Sequence, residues 1–204
     1  KTKYSVSTQL WAEARKRGFN CVRLSVIFDH RYSPHQSIES TLEPIARAVE
    51  LARENGMYIC IDYHDCASYK ADHMKEFWRT IAPKYADETH VIYELVNEPV
   101  AWSADKYQDH HLRDFEAGYK ICHDAAPQTH VILMSYAQAN GPMLEKAQQL
   151  NGIDWTNASV GFHPYATKTF EPIKKLKAEL PCIATEFIAL GAEEDHLMAA
   201  VNGD

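Results

Sequence analysis

Residues 90–99 read H-V-I-Y-E-L-V-N-E-P. Val91, Ile92, Tyr93, Leu95 and Val96 form a short apolar run, the pattern of a strand buried on both faces, and the run stops abruptly at Asn97, Glu98 and Pro99. A carboxylate at the tip of such a strand is costly unless something there uses it. In parallel sheets the carboxyl ends of the strands are where active sites are built. Glu98 is therefore the first candidate for chemistry, and the rest of the chain is read for its partners.

Outward from this strand the same alternation repeats. On the N-terminal side, 57–63 (M-Y-I-C-I-D-Y) is a buried strand ending in His64 and Asp65, and 21–27 is another, interrupted by one charge, Arg23. On the C-terminal side come strands at 131–136, 160–165 (V-G-F-H-P-Y) and 182–187 (C-I-A-T-E-F). Apolar residues at helical spacing predict helices over 5–18, 41–55, 73–85, 108–125, 142–150, 172–180 and 193–201. Ser40 with Glu43 three residues on opens the second helix, and Gly56 closes it. Trp11 and Trp78 fall on helical core positions and are expected to pack. Strands start at intervals of roughly 25–40 residues, the length of a βα unit. A closed eight-stranded barrel takes about 250 residues, against 204 here. The expected fold is α/β, a single domain over 1–204: a (β/α) TIM-type barrel, shortened, lacking the first and last strands of the usual eight. An open doubly wound sheet is the alternative, but no Gly-rich turn follows any strand.

Composition narrows the partners. The net charge of −7 and the lack of a dense Lys/Arg cluster argue against nucleic acid and favour a neutral substrate. No apolar run approaches the roughly 18 residues that span a membrane, and no signal-peptide pattern is seen at Lys1, as in a trimmed secreted chain. Five cysteines at irregular spacing (21, 60, 66, 122 and 182) do not suggest a disulfide framework.

Five of the six strands carry chemically capable residues at or near their carboxyl ends: Arg23, His64, Asn97 with Glu98, His163 with Tyr165, and Glu186. His163 and Tyr165, two apart, share a face in a regular strand. In a barrel these residues converge on one mouth, where two carboxylic acids can hydrolyse a glycosidic bond without a cofactor. Arg23 and the Tyr165 hydroxyl are placed to hold Glu186 ionised as nucleophile. Glu98, at its apolar tip, is expected to stay protonated as the acid. Asn97 is suited to a sugar hydroxyl. Arg23 has a second reading, as the neutralising partner of Glu94, which shares a face with Glu98 if the strand is regular. His64 has one too, as a bridge between backbone groups.

The stretches G-F-N-C-V-R-L, Y-I-C-I-D-Y-H-D, H-V-I-Y-E-L-V-N-E-P, V-G-F-H-P-Y-A and P-C-I-A-T-E-F, in this order, resemble glycoside hydrolase family 5, the cellulase family of retaining (β/α)8 glycosidases. The resemblance extends over nearly the whole chain. It implies that Glu98 is the general acid/base and Glu186 the nucleophile. It also implies that Arg23, His64, Asn97, His163 and Tyr165 position substrate or support the nucleophile. Carboxyl groups roughly 5–5.5 Å apart and retention of anomeric configuration are further implications, as is secretion. The family's eighth strand usually brings an aromatic platform, commonly Trp, and no residue here can be assigned to it. Open barrel edges invite association, and pairing between two copies as a homodimer would close them.

The expected activity is that of a retaining endo-β-glycanase on internal β-1,4 bonds of a polysaccharide or oligosaccharide, first a β-glucan such as cellulose and second mannan. No cofactor is expected. Trp102, in the loop after the Asn-Glu-Pro tip, is a candidate for stacking on a sugar ring, with Tyr32 and His35 weaker ones. Asp109, His110 and His111 are consecutive on a helix and do not share a face, and no H-x-H or H-E-x-x-H pattern appears, so no metal is expected. Rival readings are a carbohydrate-binding barrel that holds glycan without cutting it, and a metal-dependent barrel hydrolase.

Overall fold

A computed structural model describes residues 7–28, 36–64, 70–100, 106–136, 145–163 and 171–186. Among these, six strands form one sheet: β1 (Cys21–Val26), β2 (Tyr58–Tyr63), β3 (Val91–Glu94), β4 (Val131–Tyr136), β5 (Ala158–Phe162) and β6 (Cys182–Ala184). They lie in chain order, and every neighbouring pair is parallel. Helix α1 (Thr8–Lys16) precedes β1; parallel neighbours need a crossover, which helices α2 (Ile38–Glu54), α3 (Ala71–Ile81), α4 (Asp109–Ala125) and α5 (Glu171–Glu179) help to supply. Unbroken sequential order is the arrangement of a (β/α) barrel. A doubly wound sheet reverses its strand order at a switch point. The described residues thus form a half-barrel with β1 and β6 at its edges, as expected of a shortened barrel.

The register assigns each strand residue to a face. Arg23 pairs with Cys60 and Cys60 with Ile92, while Asp62 pairs with Glu94, so polar residues line up across β1–β3 on the inner face. The alternate residues, Ile59, Ile61, Tyr63, Val91, Tyr93 and Leu95, are buried in the main apolar core with helix residues such as Ile45, Val49, Phe77, Trp78 and Phe115. Trp78 ties this core to the sheet. Its indole Nε1 donates to the Leu95 carbonyl at 2.8 Å, its ring centroid lies 5.1 Å from that of Tyr93, and the Tyr93 hydroxyl donates to the Ala82 carbonyl at 2.9 Å. Trp11 and Trp78 are both buried, as helical spacing predicts. Cys21, Cys60, Cys122 and Cys182 are free thiols, while Cys66 lies outside the described residues.

Several boundaries differ from expectation for local reasons. Helix α2 starts at Ile38 rather than 41, because the Ser37 side chain takes the cap by accepting from the Ser40 N–H at 3.3 Å, and Ile38 is buried as a result. Strand β5 starts two residues earlier than predicted, after Asp154 Oδ1 accepts from the Thr156 N–H and hydroxyl at 3.0 and 2.7 Å. Strands β3, β5 and β6 end at Glu94, Phe162 and Ala184, short of the predicted 98, 165 and 187, so Asn97, Glu98, His163 and Glu186 escape strand alternation. The helix predicted over 193–201 lies outside the described residues.

Helix α4 packs closely at Gly118, where an added Cβ would meet Leu95 Cδ1 at 2.9 Å and Met74 Sδ at 3.0 Å. Both neighbours are fully buried. Gly118→Val should therefore lose about 1–3 kcal/mol through overpacking, read as a lower urea midpoint. An unchanged or raised midpoint would contradict this packing.

Candidate active site

The inner face of β1–β3 carries one cation and two acids. The Arg23 guanidinium forks onto Glu94, with Nε to Oε2 at 2.5 Å and Nη2 to Oε1 at 2.8 Å. The same Nη2 lies 3.0 Å from Asp62 Oδ2 and donates to Asn97 Oδ1 at 2.8 Å. Nη1 donates to Glu186 Oε1. Asp62 and Glu94 are completely buried, so the fork is what makes two carboxylates tolerable there. Burial and then the Glu94 and Asp62 partners act oppositely on Arg23, and the partners win, raising its pKa.

Asp62 also meets His64, whose Nδ1 lies 2.6 Å from Asp62 Oδ2. Burial, followed by the neighbouring Glu94 charge, pushes Asp62 up to about 6, against the lowering pull of His64 and Arg23. Burial works to lower His64, but the hydrogen bond and charge of Asp62 outweigh it, so His64 is raised. Both members of the pair are thus raised.

At the end of β3 the chain leaves the ladder after Glu94. The Asn97 N–H reaches back to the Tyr63 carbonyl at 3.0 Å, and Glu98 takes φ 39°, the one non-glycine positive φ among the described residues. Such backbone costs roughly 1–3 kcal/mol and is kept where the surroundings require it. Here Glu98 Oε1 lies 2.6 Å from His163 Nδ1. His163 is wholly buried, with Nε2 3.0 Å from Thr185 Oγ1, and its Nδ1 lies 4.0 Å from Glu186 Oε2. One carboxylate oxygen of Glu98 and one of Glu186 come within 4.8 Å of each other. The Glu98 side chain is 11 % exposed and that of Glu186 26 %, so both can be reached from solvent. The buried Tyr107 hydroxyl is pushed up by burial and then by the Glu98 charge, which places Tyr107 in the same neighbourhood.

Of the residues singled out from sequence, the structure joins Arg23, His64, Asn97, Glu98, His163 and Glu186 into one network at the carboxyl ends of the strands. Tyr165, Trp102, Tyr32 and His35 lie outside the described residues. One Arg23 guanidinium bonds both Glu94 and Glu186, the contacts that its two readings name. His64 bonds the Asp62 carboxylate, rather than backbone groups as its alternative reading had it. Asp62 and Thr185 were missed. Asp62 had a visible signal, an acid inside an apolar strand two residues before His64, whereas Thr185 had none. His111 Nδ1 accepts the Gln108 N–H at 3.1 Å and so caps α4.

The Asp62–His64 unit has a definite pH signature. Because Asp62 is raised from 3.8 to about 6, the native chain keeps a proton across that interval that the unfolded chain has lost, and stability falls as pH rises through it. His64, raised from 6.5, adds a contribution of the same sign at higher pH. Asp62→Asn removes both. Its urea midpoint relative to the unsubstituted chain should climb as the pH is raised from about 4 to about 8. A difference that stays flat over that range would contradict the assignment.

Residues 2–192 match the family described as Cellulase (glycosyl hydrolase family 5). Cellulase CelDZ1 from Thermoanaerobacterium sp is 33% identical over 96 residues, covering 44% of this chain and 24% of that protein. Endoglucanase E-5 from Thermobifida fusca is 24% identical over 156 residues, covering 68% of this chain and 32% of that protein. The chain thus spans about a third or less of these curated relatives. The solved catalytic domain of Thermobifida fusca endoglucanase Cel5A (E5) shares the fold, with a TM-score of 0.72 at 19% identity over 98% of this chain and 70% of that one.

Proposed function

This chain belongs to the cellulase family, glycosyl hydrolase family 5, and from that premise we propose that it is a retaining endo-β-glycanase cutting internal β-1,4 bonds of a β-glucan such as cellulose. The observation that carries the reading is the approach of Glu98 and Glu186 to within 4.8 Å. Retaining glycosidases hold their two carboxyl groups about 5–5.5 Å apart, whereas inverting ones leave roughly 6.5–9.5 Å for a water. The relatives named as endoglucanases support internal cleavage of a glucan chain.

The roles follow from the partners. Arg23 places a permanent positive charge on Glu186 Oε1, which suits a carboxylate that attacks as an anion. Glu98 protonates the leaving sugar oxygen as the bond from the anomeric carbon to that oxygen breaks and the bond to Glu186 forms. In the second half Glu98 takes a proton from water, the water oxygen displaces Glu186, and product leaves. His163, hydrogen-bonded to Glu98 and anchored on Thr185, aims the acid. Asn97, held by Arg23, is placed beside the reacting centre for a sugar hydroxyl. The binding-only reading leaves the close carboxylate pair and its strained backbone without a use.

Glu98→Gln and Glu186→Gln should each lower turnover on a soluble β-1,4-glucan by at least about 10²–10⁴-fold, with the far-UV circular dichroism unchanged. Turnover in either variant equal to that of the unsubstituted chain would overturn the roles. Turnover higher on mannan than on glucan would keep the roles and change the substrate.

A further inference from the structure

His163 is held in the manner of a metal-binding imidazole. Its Nε2 is occupied by Thr185 Oγ1 at 3.0 Å, and its Nδ1 faces Glu98 Oε1 at 2.6 Å and Glu186 Oε2 at 4.0 Å. A fixed polar partner on the far nitrogen is the usual support for such a ligand. Arg23 takes the other oxygen of Glu186, so Oε2 is the one toward His163. All three ligand atoms lie within 4.8 Å of one another. We propose that Glu98, His163 and Glu186 also form a binding site for one divalent cation of borderline softness, of which Zn²⁺ is the representative, and that its occupation blocks the reaction. The blocking rests on the glycanase reading above, whereas the binding does not.

The required rearrangement is small. Tetrahedral Zn²⁺ with ligands at about 2.0–2.1 Å puts ligand atoms about 3.3 Å apart. The His163–Glu98 contact must therefore open by about 0.7 Å and the His163–Glu186 contact close by about as much, with the two glutamates drawing together and water as fourth ligand. Two carboxylates and one imidazole suit Zn²⁺ better than Ca²⁺ or Mg²⁺, which need six or more oxygens. The nearby Arg23 charge opposes the cation, so the site fills under excess zinc.

Calorimetric titration of the chain with zinc chloride tests the site without substrate. The expected result is one Zn²⁺ per chain. Affinity should be at least about tenfold weaker in both Glu98→Gln and Glu186→Gln, and unchanged in His110→Gln, which alters an exposed histidine on α4. No binding up to about 1 mM, undiminished binding in both glutamine variants, or its loss in His110→Gln would overturn the proposal. With a soluble β-glucan, Zn²⁺ should raise KM as a competitor, and a constant KM at saturating zinc would overturn the blocking. A chain that binds zinc as described but cleaves no glycan refutes the glycanase reading and upholds the site. One that cleaves glycan without binding zinc does the reverse.

Discussion

The Arg23 guanidinium meets carboxylates rooted on or beside three other strands, Glu94 and Asp62 on the buried inner face and Glu186 at the mouth. Without it, two acids with no exposure to water would face each other across β2 and β3. Removing one member of a buried ion pair costs about 3–5 kcal/mol, a large share of the roughly 5–15 kcal/mol that holds a domain folded. Lysine would not substitute, because its point charge cannot fork onto Glu94 while donating to Asn97 and Glu186. The same interaction that makes the inner face stable thus sets the position of Glu186 and Asn97.

The second constraint is backbone. Strand β3 ends at Glu94, and the chain turns so that Glu98, at φ 39°, delivers its carboxylate to His163. Had the strand continued to 98, its regular rise would have carried Glu98 roughly 13 Å past Glu94 on the same face. Leaving the ladder separates their tasks: Glu94 holds Arg23, and Glu98 faces Glu186. The parallel, sequential sheet then supplies His163 from the end of β5 and Glu186 from beyond β6, so that residues 65 to 163 positions apart in the chain meet at one mouth.

The barrel order and most of this network are legible in the sequence, because charged or polar residues within or just past apolar strand segments are rare enough to stand out: Arg23, His64, Asn97, Glu98, His163 and Glu186 all do. What escaped was information that a one-dimensional pattern does not hold. The inward position of Asp62 follows from its register with Glu94, the tie of His163 to Thr185 from the approach of β5 and β6, and the turn at Glu98 from a ladder that ends early. Helix α2 starts early because two serines three apart, Ser37 and Ser40, both qualify as caps, and only burial of Ile38 decides between them.

The central claim is that Glu98 and Glu186 face each other across a gap too narrow for a water to attack directly. The anomer first released from a cello-oligosaccharide reports on that gap. Proton NMR in the opening minutes of hydrolysis, before mutarotation, should show the β-anomer of the new reducing end accumulating ahead of equilibrium. Initial accumulation of the α-anomer would mean inversion, and with it a carboxylate arrangement different from this one.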